Sequence, residues 1–150
     1  MSAVLLAVDP GANGGVAWTD GAELHAVKMP ETNGDLLHLL REVAPCAIYV
    51  ERVGGHVAGG REPGSAMFKF GFGVGVLHGL ALALGIPLHQ VRPAEWQARL
   101  GIGRRGTDET KSAWKNRIKA EVERRHPTVR VTLATADAIG ILDHAVEVQK

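Results

Sequence analysis

Near its start the chain runs Ala3-Val4-Leu5-Leu6-Ala7-Val8 and then meets Asp9, Pro10 and Gly11. An unbroken apolar run of this length, closed by a turn signal, predicts one strand buried on both faces. Pro10 has no backbone donor, so the strand must stop at Asp9. Gly14-Gly15 lets the backbone double back, and Val16-Ala17-Trp18-Thr19 reads as a second strand. The hairpin therefore carries a carboxylate at the tip of its first strand. A carboxylate there is costly unless something pairs with it. A hard divalent cation such as Mg²⁺ takes oxygen ligands and would serve. Simple solvation of a turn Asp before Pro-Gly would serve equally, and this stretch alone does not choose between them.

The rest of the chain extends the pattern. Asp20-Gly21 is a turn, and residues 23–29 read as a third strand that Pro30 ends. Asn33 is placed to cap a helix with Leu36, Leu37, Leu39, Leu40 and Val43 on its buried face, closed by Pro45. Ala47-Ile48-Tyr49-Val50 reads as a strand and ends at Glu51, again a carboxylate where a buried strand meets a loop. Residues 53–64 hold five Gly and one Pro and cannot build a core. Ser65 is placed to cap a helix over residues 65–84. That helix carries Phe68, Phe70 and Phe72, and its Gly71, Gly75 and Gly79 recur every four residues on one face. With Gly73, these glycines cost roughly 1 kcal/mol each relative to Ala. Either they pack on the chain's own sheet or they form a dimer seam. Burial is the expected fate of Phe68.

Leu88-His89-Gln90-Val91 reads as a fifth strand, and Pro93 suits the first turn of a helix containing Glu95, Trp96 and Leu100, with Trp96 in the core. A basic loop follows over residues 101–107, then a basic helix over 108–125 with a thin apolar stripe of Ala113, Trp114, Ile118 and Val122. A last helix covers residues 136–148, opened by Asp137, where a carboxylate is electrostatically favourable in its own right.

Net charge is only +1 but unevenly spread: from Arg92 to Arg130 there are eleven Lys/Arg and five Asp/Glu. A basic half and an acidic half suit a polyanion on one side and a metal on the other. Lys111, Lys115 and Lys119, four apart, form one basic stripe, with Arg104 and Arg105 on the preceding loop. No run is expected to reach the length of a membrane span, and with no charged leader before the first strand no signal peptide is expected. The single Cys46 excludes an intramolecular disulfide and a cysteine metal cluster, which fits a reducing cytoplasm. One domain over residues 1–150 is expected.

The element order is β-β-β-α-β-α-β-α-α. If the first and fourth strands are parallel neighbours, Asp9 and Glu51 lie at one sheet edge, and a helix start over that edge brings Asp137 near them. Three converging carboxylates could hold one or two Mg²⁺ and activate a water against a phosphodiester.

The pattern Val8-Asp9-Pro10-Gly11, Tyr49-Val50-Glu51-Arg52 and Ala136-Asp137-Ala138 resembles the RuvC-type Holliday-junction resolvases of the ribonuclease H-like superfamily. The compact form, with Val91-Arg92-Pro93-Ala94-Glu95-Trp96, looks most like bacteriophage members. The resemblance implies an α/β fold with a five-stranded mixed sheet, a three-stranded antiparallel meander plus parallel strands, flanked by helices. It implies a homodimer that cuts four-way DNA junctions with Mg²⁺ or Mn²⁺ in a bacterial or phage-infected cytoplasm. Asp9, Glu51 and Asp137 would hold the metal, and Lys111 would assist catalysis or grip the scissile phosphate. Arg104, Arg105, Lys111, Lys115, Lys119, His56 and Arg61 would contact DNA. Gly71, Gly75, Gly79, Phe68 and Phe72 would form the dimer seam.

Two departures from the family stand out. Relatives often carry an Asp or His three residues before the last acid, where this chain has Ala134. Asp143 points about 120° away from Asp137 on the helix, and His144 lies about 10 Å along it, so neither replaces that group. Some relatives also place an aromatic in the loop after the Glu, and residues 53–64 have none, leaving His56, Met67 or Phe68 for that role. A non-catalytic DNA-binding module, another branched-DNA nuclease, and an actin-like or sugar-kinase phosphotransferase remain as alternatives.

Overall fold

The first apolar run does form a strand, β1 (Leu5–Asp9), whose four apolar residues are all buried. Gly15–Thr19 (β2) and Leu24–Lys28 (β3) complete an antiparallel meander, with Asp9 opposite Gly15. Ala47–Glu51 (β4) lies parallel to β1, and Leu88–Val91 (β5) parallel to β4, giving the sheet order β3-β2-β1-β4-β5. The expected five-stranded mixed sheet is thus present. These features come from a computed structural model that describes residues 3–53 and 64–150. His56 and Arg61 lie outside the described residues.

Five helices flank the sheet: α1 (Asn33–Val43), α2 (Gly64–Leu84), α3 (Pro93–Arg99), α4 (Lys111–Arg125) and α5 (Ala136–Val148). Side chains alternate across a strand, so the sheet sorts the core into two layers. Leu6, Val8, Ile48 and Val50 meet Leu36 and Leu40 of α1 and Leu77 and Ala81 of α2. Leu5, Ala7, Ala47 and Tyr49 meet Trp96 of α3, Trp114, Ile118 and Val122 of α4, and the apolar face of α5.

Helix starts differ from the sequence expectation by one to three residues. The cap of α1 is Thr32, not Asn33; its hydroxyl accepts from the Asp35 backbone N–H at 3.0 Å. Thr110 does the same for α4 through Ala113 N–H at 3.0 Å, so α4 begins at Lys111 rather than Asp108. In both places a threonine hydroxyl takes the role that a neighbouring Asn or Asp could have filled. Ser65 is already inside α2 rather than capping it. Ala113 is exposed, which narrows the apolar stripe of α4 to Trp114, Ile118 and Val122.

The larger correction concerns α2. Of its 21 residues only Leu77 and Ala81 are buried. Phe68 is 73% exposed and Phe72 58%, their rings stacked at 6.4 Å, so the expected burial of Phe68 does not occur. Among the described residues nothing lies within 4 Å of where a Cβ would stand on Gly71, Gly75 or Gly79. These glycines therefore do not serve close packing on the chain's own sheet. The helix is also long and apolar enough to cross a membrane by length and composition. The expectation that no run reaches that length is corrected accordingly.

Candidate active site

Strand parity decides which side of the sheet the acids face. Val8 and Val50 are register partners and both point toward α1 and α2. Asp9 and Glu51, the next residue on each strand, therefore point to the other face, under α3, α4 and α5. The turn after Asp9 is tight: a Cβ on Gly14 would stand 2.0 Å from the Asp9 carbonyl oxygen, so only glycine fits there. Gly14 N–H closes the turn on the Gly11 carbonyl at 3.1 Å.

Asp137 arrives from the opposite direction. Thr132 and Thr135 form the turn before α5: Thr135 Oγ1 accepts from Thr132 N–H at 3.0 Å, and Ala136 N–H donates to the Thr132 carbonyl at 3.0 Å. α5 then packs across β1, β2 and β4 with Ala138, Ile139, Ile141, Leu142 and Ala145 buried. This sets Asp137, in its first turn, beside the strand ends.

The electrostatics show that the three acids share one neighbourhood. Burial pushes the Asp9 carboxyl up to about 8, and the charges of Asp137 and Glu51 push the same way. Glu51 is raised by burial and by Asp137, against a hydrogen bond from Trp96 that lowers it. Asp137 is raised by burial. One cation opposes all three shifts, and it is Lys115. Lys115 lies one turn into α4 and is half-buried, whereas Lys111 is exposed at the helix start.

Oxygen-only, anionic donors suit a hard divalent cation rather than a soft one. Mutual repulsion and burial leave these carboxylates short of positive charge, which such an ion would supply. Among the described residues no three His, Cys, Asp or Glu side chains converge closely enough to surround a single ion. The fit is thus to ions held by one or two carboxylates each, with water and phosphate oxygens completing the shell, as Mg²⁺ commonly accepts.

The remaining candidates are scattered more widely. Arg104 and Arg105 line an open groove of about 780 Å³ with Pro93, Ala94, Gln97 and Ala98 of α3. Lys119 pairs with Glu123 one turn on, so the lysines of α4 do not form one free stripe. Asp143 accepts from His126 Nε2 at 3.0 Å, and His144 Nδ1 accepts from Arg99 Nε at 2.8 Å; neither joins the three acids. Ala134 contributes its backbone oxygen to the packing beside Gly15. Sequence reasoning put Trp96 in the core and missed that its indole N–H donates to Glu51 Oε2 at 2.8 Å. The available signal was an indole, whose N–H needs a partner when buried.

No family profile and no characterised protein matches the chain by sequence. Among solved structures, T. thermophilus RuvC in complex with a Holliday junction substrate superposes with a TM-score of 0.64 at 17% identity, covering 97% of this chain and 95% of that one. A second Thermus thermophilus RuvC structure gives a TM-score of 0.62 at 19% identity over 97% and 95%. The chain has the RuvC-type, ribonuclease H-like fold.

Proposed function

We propose that this chain is a divalent-metal-dependent endonuclease that hydrolyses phosphodiester bonds in four-way (Holliday) or other branched DNA junctions. The observation that carries the reading is the meeting of Asp9, Glu51 and Asp137 under the charge of Lys115, at the strand ends of a RuvC-type fold. Similarity to a protein solved with a Holliday junction supports the substrate class.

In this reading Asp9, Glu51 and Asp137 hold Mg²⁺, or Mn²⁺ in its place, as two ions. When bound, such a pair supplies an activated water and stabilises the leaving oxygen. The chain's own residues do the rest. Lys115 offsets the carboxylates' repulsion and offers a cation to the incoming phosphate. Arg104 and Arg105 take the backbone along their groove, with Lys111, Lys119, His56 and Arg61 as further contacts. A homodimer built on Gly71, Gly75, Gly79, Phe68 and Phe72 of α2 answers the two-fold symmetry of a four-way junction. The compact form resembles that of bacteriophage members, and this reading would put the reaction in the cytoplasm of a bacterium or an infected host.

The test is a gel assay on labelled four-way junction, flap and duplex DNA with and without Mg²⁺. Metal-dependent cutting of the junction is expected, and full activity in EDTA would refute the mechanism. A second reading, a non-catalytic branched-DNA-binding module, draws on Ala134 and on the lack, among the described residues, of three donors around one point. It predicts binding without cutting in the same assay. ATP turnover would instead favour the phosphotransferase.

A further inference from the structure

Beside the acids stands a residue that no metal or phosphate need touch. β5 pairs with β4 so that Val91 lies opposite Glu51, and Arg52 N–H donates to the Val91 carbonyl at 2.7 Å. The chain turns directly into α3, with Pro93 at its first position and Arg92 N–H donating to Glu95 Oε2 at 2.8 Å. This short, firmly started helix delivers Trp96 back over the end of β4. The Trp96 side chain has no exposed surface. Its only donor goes to Glu51 Oε2 at 2.8 Å.

The other side of the indole is fixed as well. A Cβ built on Gly140 would stand 2.8 Å from indole Cε3 and Cζ3, so the ring lies against the α5 backbone itself. Gly140 is three residues after Asp137 on that helix. One side chain therefore rests on the helix that carries Asp137 while holding the carboxylate of Glu51. With Oε2 engaged, Oε1 is the oxygen of Glu51 that accepts no hydrogen bond among the described residues.

We infer that Trp96 is the positioning residue of the site: its indole N–H, braced on Gly140, holds Glu51 Oε2 and commits the carboxylate to donate to a divalent cation through Oε1. The inference rests on the nuclease reading above, since it takes Glu51 as a ligand. Groups that orient metal ligands from behind typically matter 10–100-fold in metal affinity. Phe in place of Trp96 keeps most of the apolar body and removes the donor.

The test uses the full chain without DNA and reads Mn²⁺ binding by calorimetry for wild type, Asp9→Asn and Trp96→Phe, with a thermal melt of each. Wild type should bind, Asp9→Asn should not, and folded Trp96→Phe should bind about tenfold or more weakly. Equal affinity in wild type and folded Trp96→Phe overturns the inference and leaves the nuclease reading standing. Absence of binding by wild type overturns both. If Trp96→Phe does not fold, the wild-type chain still decides. The Trp96 indole N–H resonance, identified by its shift in Glu51→Gln, should move as Mg²⁺ is added; a resonance unmoved at saturating Mg²⁺ overturns the inference.

Discussion

Arg117 grips Glu109 with the Nε–Nη2 edge of its guanidinium, Nε to Oε1 at 2.7 Å and Nη2 to Oε2 at 3.1 Å. The same guanidinium donates to the carbonyls of Ile102 and Arg104 and lies over the Trp114 ring. Glu109 in turn accepts from Gly106 N–H at 2.9 Å, and Arg117 holds its carboxyl below the usual range. The loop that presents Arg104 and Arg105 is thereby tied at several points. Lys cannot reproduce a forked contact. Arg117→Lys should weaken junction binding severalfold in a mobility shift while the far-UV spectrum stays unchanged. Wild-type affinity would mean that the order of this loop is not used.

Asp9→Asn, Glu51→Gln and Asp137→Asn should each abolish cutting and leave junction binding intact or stronger, because none of the three adds negative charge to a polyanion-binding face. A cleavage assay beside a mobility shift reads both. Ca²⁺ should bind without supporting cleavage, and joint loss of binding and cutting would point to unfolding instead.

Stability of the metal-free protein should fall as pH rises between about 4 and 8. Asp9 holds its proton in the folded state up to about 8, while the unfolded chain releases it near 3.8. Over that window the native state binds the extra proton, so stability declines by up to roughly 1.4 kcal/mol per pH unit for this one group. Glu51 and Asp137, also raised, act in the same direction. Glu121, lowered to about 2 by Arg124 and Arg125, loses its contribution only in stronger acid. Asp9→Asn should flatten the slope and exceed wild type in urea midpoint at pH 8; added Mg²⁺ should lift the wild-type value there.

The two lysines of α4 should separate. Lys115→Ala should slow cleavage far more than it weakens binding, because its charge acts on all three acids. Lys111→Ala should instead lower the log–log salt slope of binding by about 0.9, as expected for one lost B-form phosphate contact. An unchanged slope would place Lys111 in solvent.

Gly75→Leu should give monomers or insoluble protein, because a leucine on the open face of α2 blocks close approach of a second helix. Sedimentation of the wild type as a stable monomer at micromolar concentration would count against a seam there.

Much of this was legible in the residues. β1 and β4 could be read because each is a short apolar run closed by an acid, and that closure also named two carboxylates of the candidate site. The apolar stripe Trp114, Ile118 and Val122 gave the phase of α4, but not which of its lysines the packing turns toward the acids, and that is Lys115. The polar role of Trp96 was hidden for another reason: its acceptor lies 45 positions away. Phe68 misled because aromatic residues usually find a core. Here Leu36 and Leu40 of α1 share that sheet face with α2, which reaches it through Leu77, Leu80, Ala81 and Leu84 in its C-terminal half.

The parallel pairing of Val8 with Val50 has a bearing on how such a protein can change over generations. Asp9 and Glu51 are spaced by the sheet, whose neighbouring strands stand about 4.8 Å apart, and not by the chain that joins them. Changes in the connections on either side of α1, and on its exposed face, can accumulate without altering that spacing, so long as Leu36 and Leu40 still cover the sheet. Only a slip of register can, and a slip of one residue turns every core side chain of the strand outward. Variants that spoil the distance between these two carboxylates would thus be removed as misfolded chains before they were tried as poor enzymes.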